Sequence, residues 1–97
     1  MKNYIGKHIT ADTQIKKTAG TLHSLTFAQT DAVPTAGSII VYDSLTEAGT
    51  ILYSETFTTT PFRGYTVNLD IAFSTGLYVG FTTTADVGVT VSYSEGN

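Results

Sequence analysis

There is no cysteine among the 97 residues, which removes a disulfide framework, a thiolate metal site and a cysteine nucleophile while leaving the redox compartment open. Long apolar runs are missing too. None extends beyond a few residues, so no segment reads as a bilayer-spanning helix. The stretch from Met1 to His8 has neither an apolar h-region nor a small-residue cleavage site. The expectation is a chain made and kept in the cytoplasm, or carried out of the cell within a particle.

Helix-forming composition is scarce as well. Runs of Glu, Lys and Ala are absent, and no window carries an apolar stripe at a period of 3.6. Catalytic signatures are equally thin: two histidines, no Gly-x-Gly-x-x-Gly or Gly-Lys-Ser/Thr phosphate loop, and no Gly-x-Ser-x-Gly context around Ser24 or Ser74. With carboxylates placed mostly in turns or on outward strand positions, the reading is of a protein that is not an enzyme and takes no cofactor.

What is abundant is threonine, at 19 residues, together with valine, isoleucine and tyrosine. These β-branched and aromatic types fit a pleated, half-buried surface. The last quarter of the chain shows the pattern best. Leu77, Val79 and Phe81 share one face of a strand, Val87, Val89, Val91 and Tyr93 one face of the next, and residues 83–86 form a polar turn between them. Ser74, Thr75 and Gly76 make the entry, where Gly76 is free to take positive φ.

Six strands read clearly, at about 21–29, 38–43, 50–57, 65–73, 77–83 and 86–94, with one or two weaker ones towards the N-terminus. In the first, Leu22 is out of phase with Leu25 and Phe27, and a bulge near His23 and Ser24 would return all three to the core. His23 itself reads as a packed or rim residue. The 38–43 strand lacks alternation and reads as buried on or near both faces, whereas 50–57 places Ile51, Tyr53 and Phe57 on one side, interrupted by Glu55, with Leu52 on the other. Tyr65, Val67, Leu69, Ile71 and Phe73 alternate strictly. Close, even spacing with turn signals, including Pro34 and Gly37 in the 30–37 loop, means an all-β antiparallel β-sandwich, jelly-roll-like, of about seven to eight strands.

Charge divides the chain. Residues 1–17 hold Lys2, Lys7, Lys16 and Lys17 against Asp12, a sum of +3, while residues 18–97 hold Arg63 against seven carboxylates, a sum of −6. The acidic body repels nucleic acid and anionic membrane, so neither is expected as a partner. The organisation read from this is an N-terminal arm or pair of edge strands over 1–17, with the arm, laid on a neighbouring copy or an acidic partner, as the expectation, and a single sandwich domain over 18–97. Lysines 16 and 17 would discourage strand pairing on an edge. The candidate interface comprises Lys2, Tyr4, Lys7, Lys16 and Lys17 with Phe62 and Arg63 at the tip of the 58–64 loop. The oxygens of Asp43, Ser44, Thr46 and Glu47 lack the spacing of a calcium loop, and no metal is expected.

Thr18 to Leu25, Gly37 to Ser44, Ala72 to Val79 and Ala85 to Tyr93 together resemble a recurring type of small phage protein. The chain from about residue 18 onward is similar to the short β-sandwich structural proteins of tailed bacteriophages, the capsid decoration or cement and head- or tail-associated types. The resemblance implies a virion structural protein without catalytic residues. The leading form of that expectation is decoration of the outside of the shell, bound to the major capsid protein as a homo-oligomer, a trimer foremost. The alternatives are a tail-associated protein or a glycan- or receptor-binding module of a head or tail fibre using Tyr42, Tyr78 or Phe62.

Overall fold

The computed structural model describes residues 4–29, 36–59, 64–82 and 87–94. These form eight strands: β1 (Tyr4–Ile9), β2 (Thr13–Lys16), β3 (Gly20–Gln29), β4 (Gly37–Asp43), β5 (Thr50–Phe57), β6 (Tyr65–Phe73), β7 (Leu77–Thr82) and β8 (Val87–Ser94). The 83–86 turn, most of the 30–37 loop and the tip of the 58–64 loop lie outside the described residues.

Pairing is antiparallel throughout and nested. The first strand pairs with the last, the second with the seventh, the third with the sixth and the fourth with the fifth. Two further pairings, β3 with β8 and β4 with β7, join these into sheets of order β1-β8-β3-β6 and β2-β7-β4-β5. The chain is thus one long hairpin with its tip at β4 and β5, rolled over itself into an eight-stranded jelly roll. Its shortest Cα extent is 16 Å, the depth of two sheets packed face to face.

The four central strands fill the space between the sheets. Leu22, Leu25 and Phe27 of β3, Ile39 and Val41 of β4, Leu77 and Val79 of β7, and Val87, Val89 and Val91 of β8 are fully buried. The register of β3 shifts between Leu22 and Ser24, so that His23 is one residue too many against β8, and this is what carries Leu22 inward beside Leu25 and Phe27. Opposite, β6 sets two residues, Leu69 and Asp70, against that one histidine, and Asp70 takes a left-handed φ of 51°. Asp tolerates that region better than most residues.

Two sequence expectations are corrected, and Gly76 leaves its conformational freedom unused. β4 is not buried on both faces: Ile39 and Val41 are enclosed while Ile40 and Tyr42 are half-buried on the outer side. A register shift between Val41 and Tyr42 turns Leu52 towards the core and leaves Ile51 outward, 55% exposed. Gly76 does not have positive φ. It is required for space, because a Cβ there would sit 2.8 Å from the Lys16 carbonyl oxygen and 2.7 Å from Leu45 Cδ2.

A polar cluster fastens the β6–β7 turn, and an aromatic cluster lies on the β5 and β6 flank. Asp43, the last residue of β4, accepts the backbone N–H groups of Ser74 (3.0 and 3.1 Å), Thr75 (2.8 Å) and Gly76 (3.4 Å). That turn is where the chain leaves one sheet for the other, from β6 to β7. Burial pushes the Asp43 carboxyl up, but the N–H groups of Ser74, Thr75 and Gly76 outweigh it and hold it below the ordinary carboxylate range. On the β5 and β6 flank, Phe27 packs on Phe57 (centroids 5.5 Å apart), Tyr65 (5.3 Å) and Tyr53 (6.4 Å), and the Tyr53 hydroxyl donates to Glu55 at 2.5 Å. Burial, with the carboxylate of Glu55 beside them, pushes both Tyr53 and Tyr65 up to about 12.

Candidate functional site

Residues 4–9 and 13–16 are edge strands of the sandwich, not a free arm. Residues 4–9 pair with Val89 to Ser94 of β8, and 13–16 pair with β7. Ile9 is buried and Ile15 packs against the core. The charge imbalance that pointed to an arm resides in long side chains, which reach water from an edge strand as readily as from a free segment, so it carries no information about backbone pairing.

Of the candidate interface residues, Lys2, Phe62 and Arg63 lie outside the described residues. The others divide. Tyr4 is on the outer face of β1, whereas Lys7 shares the inward-facing row with Ile5 and Ile9, at a rim where it remains exposed. Lys16 is half-buried on β2 and its Nζ donates to Thr18 Oγ1 at 2.8 Å; Lys17 is exposed just beyond. Since β1 and β2 are edge strands joined by three residues, Lys7, Lys16 and Lys17 fall on one flank of the sandwich.

The described carboxylates are mostly engaged elsewhere. Asp12 accepts the Phe81 N–H at 2.7 Å, Asp43 caps the β6–β7 turn, Glu55 holds Tyr53, and Asp70 accepts from His23. Glu47 lies over Gly80 on the outer face of the second sheet. Tyr42 and Tyr78 meet edge to face there, centroids 6.4 Å apart, and burial together with Asp12 and Glu47 pushes the Tyr78 hydroxyl up. Neither ring of that pair stands clear as a flat platform. Among the described residues no group of three His, Asp or Glu is placed to hold a metal ion.

The outer face of the β1-β8-β3-β6 sheet is built differently, from small polar residues in rows that cross the strands. One row is His8, Thr90, Thr26 and Thr66; the next is Gly6, Ser92, Ser24 and Asn68; the third runs from Tyr4 through Ser94 and Thr21 to Ala72. Rings from β1 and β3 meet across β8: Tyr4 stacks on His23 with centroids 4.2 Å apart and planes at 22°. His23 Nδ1 lies 2.6 Å from Asp70 Oδ1. A carboxylate only accepts, so the proton is on Nδ1. Among the described residues no hydroxyl is hydrogen-bonded to the other ring nitrogen. His8 Nδ1 is 3.1 Å from Thr90 Oγ1, and the hydroxyls of Thr26 and Thr66 are 2.9 Å apart.

Sequence reasoning missed this grouping. Residues 4, 23 and 70 have no spacing in common, and only the nested strand order brings β1 and β3 to either side of β8 and sets β6 next to β3. The one available signal was His23 at the phase break of β3, which marked a bulge but not its partners. Comparison of the chain with protein families, with characterised proteins and with solved structures finds no match.

Proposed function

We propose that this chain is a non-enzymatic structural protein of a bacteriophage virion, most concretely a decoration protein that binds the outside of the capsid shell through its β1–β2 flank. The observation that carries this reading is the division of charge over the sandwich. Lys7 and Lys17 have no partner within the chain among the described residues and stand on the same flank as Lys16, while the described carboxylates of Asp12, Asp43, Glu55 and Asp70 are held by internal donors. A basic flank on which Lys7 and Lys17 stand uncompensated, on a small, acidic body, is suited to repeated docking on an acidic surface, where charge complementarity sets encounter rate and orientation. The resemblance of the segments from residue 18 onward to phage β-sandwich proteins supports the choice of partner, the major capsid protein, and a symmetric cluster of copies on it.

The test is made on particles. Virions lacking the protein should lose heat tolerance and regain it when purified protein is added back. Re-binding should weaken as salt rises through the screening range. The double variant Lys7→Glu, Lys17→Glu should re-bind about tenfold or more weakly, with its fold unchanged. Particles that keep full stability without the protein, or cryo-electron microscopy placing it on the tail, would remove the shell assignment.

A further inference from the structure

From the outer face of the β1-β8-β3-β6 sheet we infer a binding groove for a short stretch of neutral glycan. The groove follows the row Gly6, Ser92, Ser24 and Asn68, whose members are direct cross-strand neighbours on β1, β8, β3 and β6. Its floor is low because these side chains are small; Ser24 within it is only 8% exposed, so Gly6, Ser92 and Asn68 supply the accessible surface. At Gly6 it is open altogether, since a Cβ there would meet nothing within 4 Å.

Both walls are fixed by side-chain pairs. On one side Tyr4 stacks on His23, which is locked by Asp70; on the other His8 lies against Thr90, and Thr26 against Thr66. The His8 ring is held down onto the sheet by the absence of a side chain at Gly88, where a Cβ would come within 2.7 Å of its Cε1. Pairing of this kind means that the side chains of the site are already ordered, so binding loses little rotamer freedom.

The chemistry selects the occupant. Tyr4 is 44% exposed. One face of its ring is taken by His23, and the rest presents the apolar surface with a polar tip that packs on the C–H face of a sugar. The floor and walls offer hydroxyls and an amide, each able both to donate and to accept, as sugar hydroxyls require. No lysine or arginine occurs in the three rows, and the one adjacent carboxylate, Asp70, is already bonded to His23, which disfavours an anionic ligand. A peptide added as a strand is disfavoured too, because the row crosses strands whose backbone groups are used in the sheet. Four strands at the usual spacing give a length of about 14 Å, room for about two or three pyranose rings. Tyr42 and Tyr78, on the other sheet, take no part.

The experiment follows backbone amide shifts of the full chain by NMR while a panel of neutral di- to tetrasaccharides of hexoses and N-acetylhexosamines is titrated in. The expected result is shifts centred on Gly6, Ser24, Asn68 and Ser92 for at least one sugar. Gly6→Ile, whose Cβ would meet nothing within 4 Å, fills the notch and should weaken that binding about tenfold or more, as should Tyr4→Ala, while the rest of the spectrum stays native. Silence across the panel, shifts on the β2-β7-β4-β5 sheet instead, or undiminished binding by Gly6→Ile would each overturn the assignment, as would a response to an acidic saccharide or a peptide alone.

Discussion

Replacing Asp43 should destabilise the sandwich by a measurable amount that depends on pH. Its carboxylate receives two well-formed backbone bonds, from Thr75 at 2.8 Å and Ser74 at 3.0 and 3.1 Å, one long one from Gly76 at 3.4 Å, and a weak one from the Ser74 hydroxyl at 3.3 Å. A hydrogen bond to a charged group contributes about 1.5–3 kcal/mol net when well shielded. The turn is part-exposed and water can replace some of this, so the lower end applies, and two good bonds give about 2–3 kcal/mol for Asp43→Ala. Asp43→Asn retains one acceptor oxygen without the charge and should lose about 1 kcal/mol. For a domain of this size each kcal/mol moves Tm by about 4–8 °C. Thermal and urea unfolding followed by circular dichroism would resolve both. Because the folded carboxyl is held below its unfolded value near 3.9, its contribution is complete above that value and is lost as pH falls through the folded pKa. The gap between wild type and Asp43→Asn should therefore be constant at neutral pH and close in acid. A gap below about 0.3 kcal/mol at pH 7, or one that stays unchanged into strong acid, would refute the role given to this turn.

Removing residues 1–17 should abolish folding, because it strips β1 and β2 from the edges of both sheets and uncovers the packing of Ile9 and Ile15; a native circular dichroism spectrum from such a chain would show that these strands are dispensable. In a spectroscopic alkaline titration two of the six tyrosines, Tyr53 and Tyr65, should ionise last, near 12. The stability they confer is complete below their unfolded value near 10 and is lost as pH rises through the folded one. With Glu55→Gln both should ionise earlier yet still late, since burial is the first cause of their shift, and an unchanged titration would separate them from Glu55. Gly76→Ala should cost about 1–3 kcal/mol by forcing the turn away from the Lys16 carbonyl and Leu45, seen as a lowered urea midpoint; an unaltered midpoint would mean that the turn gives way freely.

Strand identity was legible in the chain because side-chain alternation is a local property. The period of two in Leu77 to Phe81, Val87 to Tyr93 and Tyr65 to Phe73 marks the same strands and the same inward residues that the fold uses. Even the bulge of β3 could be read, since an extra residue must appear as a phase change between Leu22 and Leu25. Where a strand's phase depends on its neighbour, that reading failed: nothing in the 50–57 sequence tells that β5 bulges against β4 and turns Leu52, not Ile51, inward. The lysines of residues 1–17 misdirected for a related reason, because edge strands tolerate charge and the decisive inward residues there, Ile9 and Ile15, are too few to form a period. What the amino-acid order determined alone is therefore the set of strands, most of their core faces, and an all-β sandwich as the class. The nested pairing of first strand with last, the flank that gathers Lys7, Lys16 and Lys17, and the wall made by residues 4, 23 and 70 were decided only by the roll of the long hairpin, because contacts across 47 positions, as between His23 and Asp70, have no local signature.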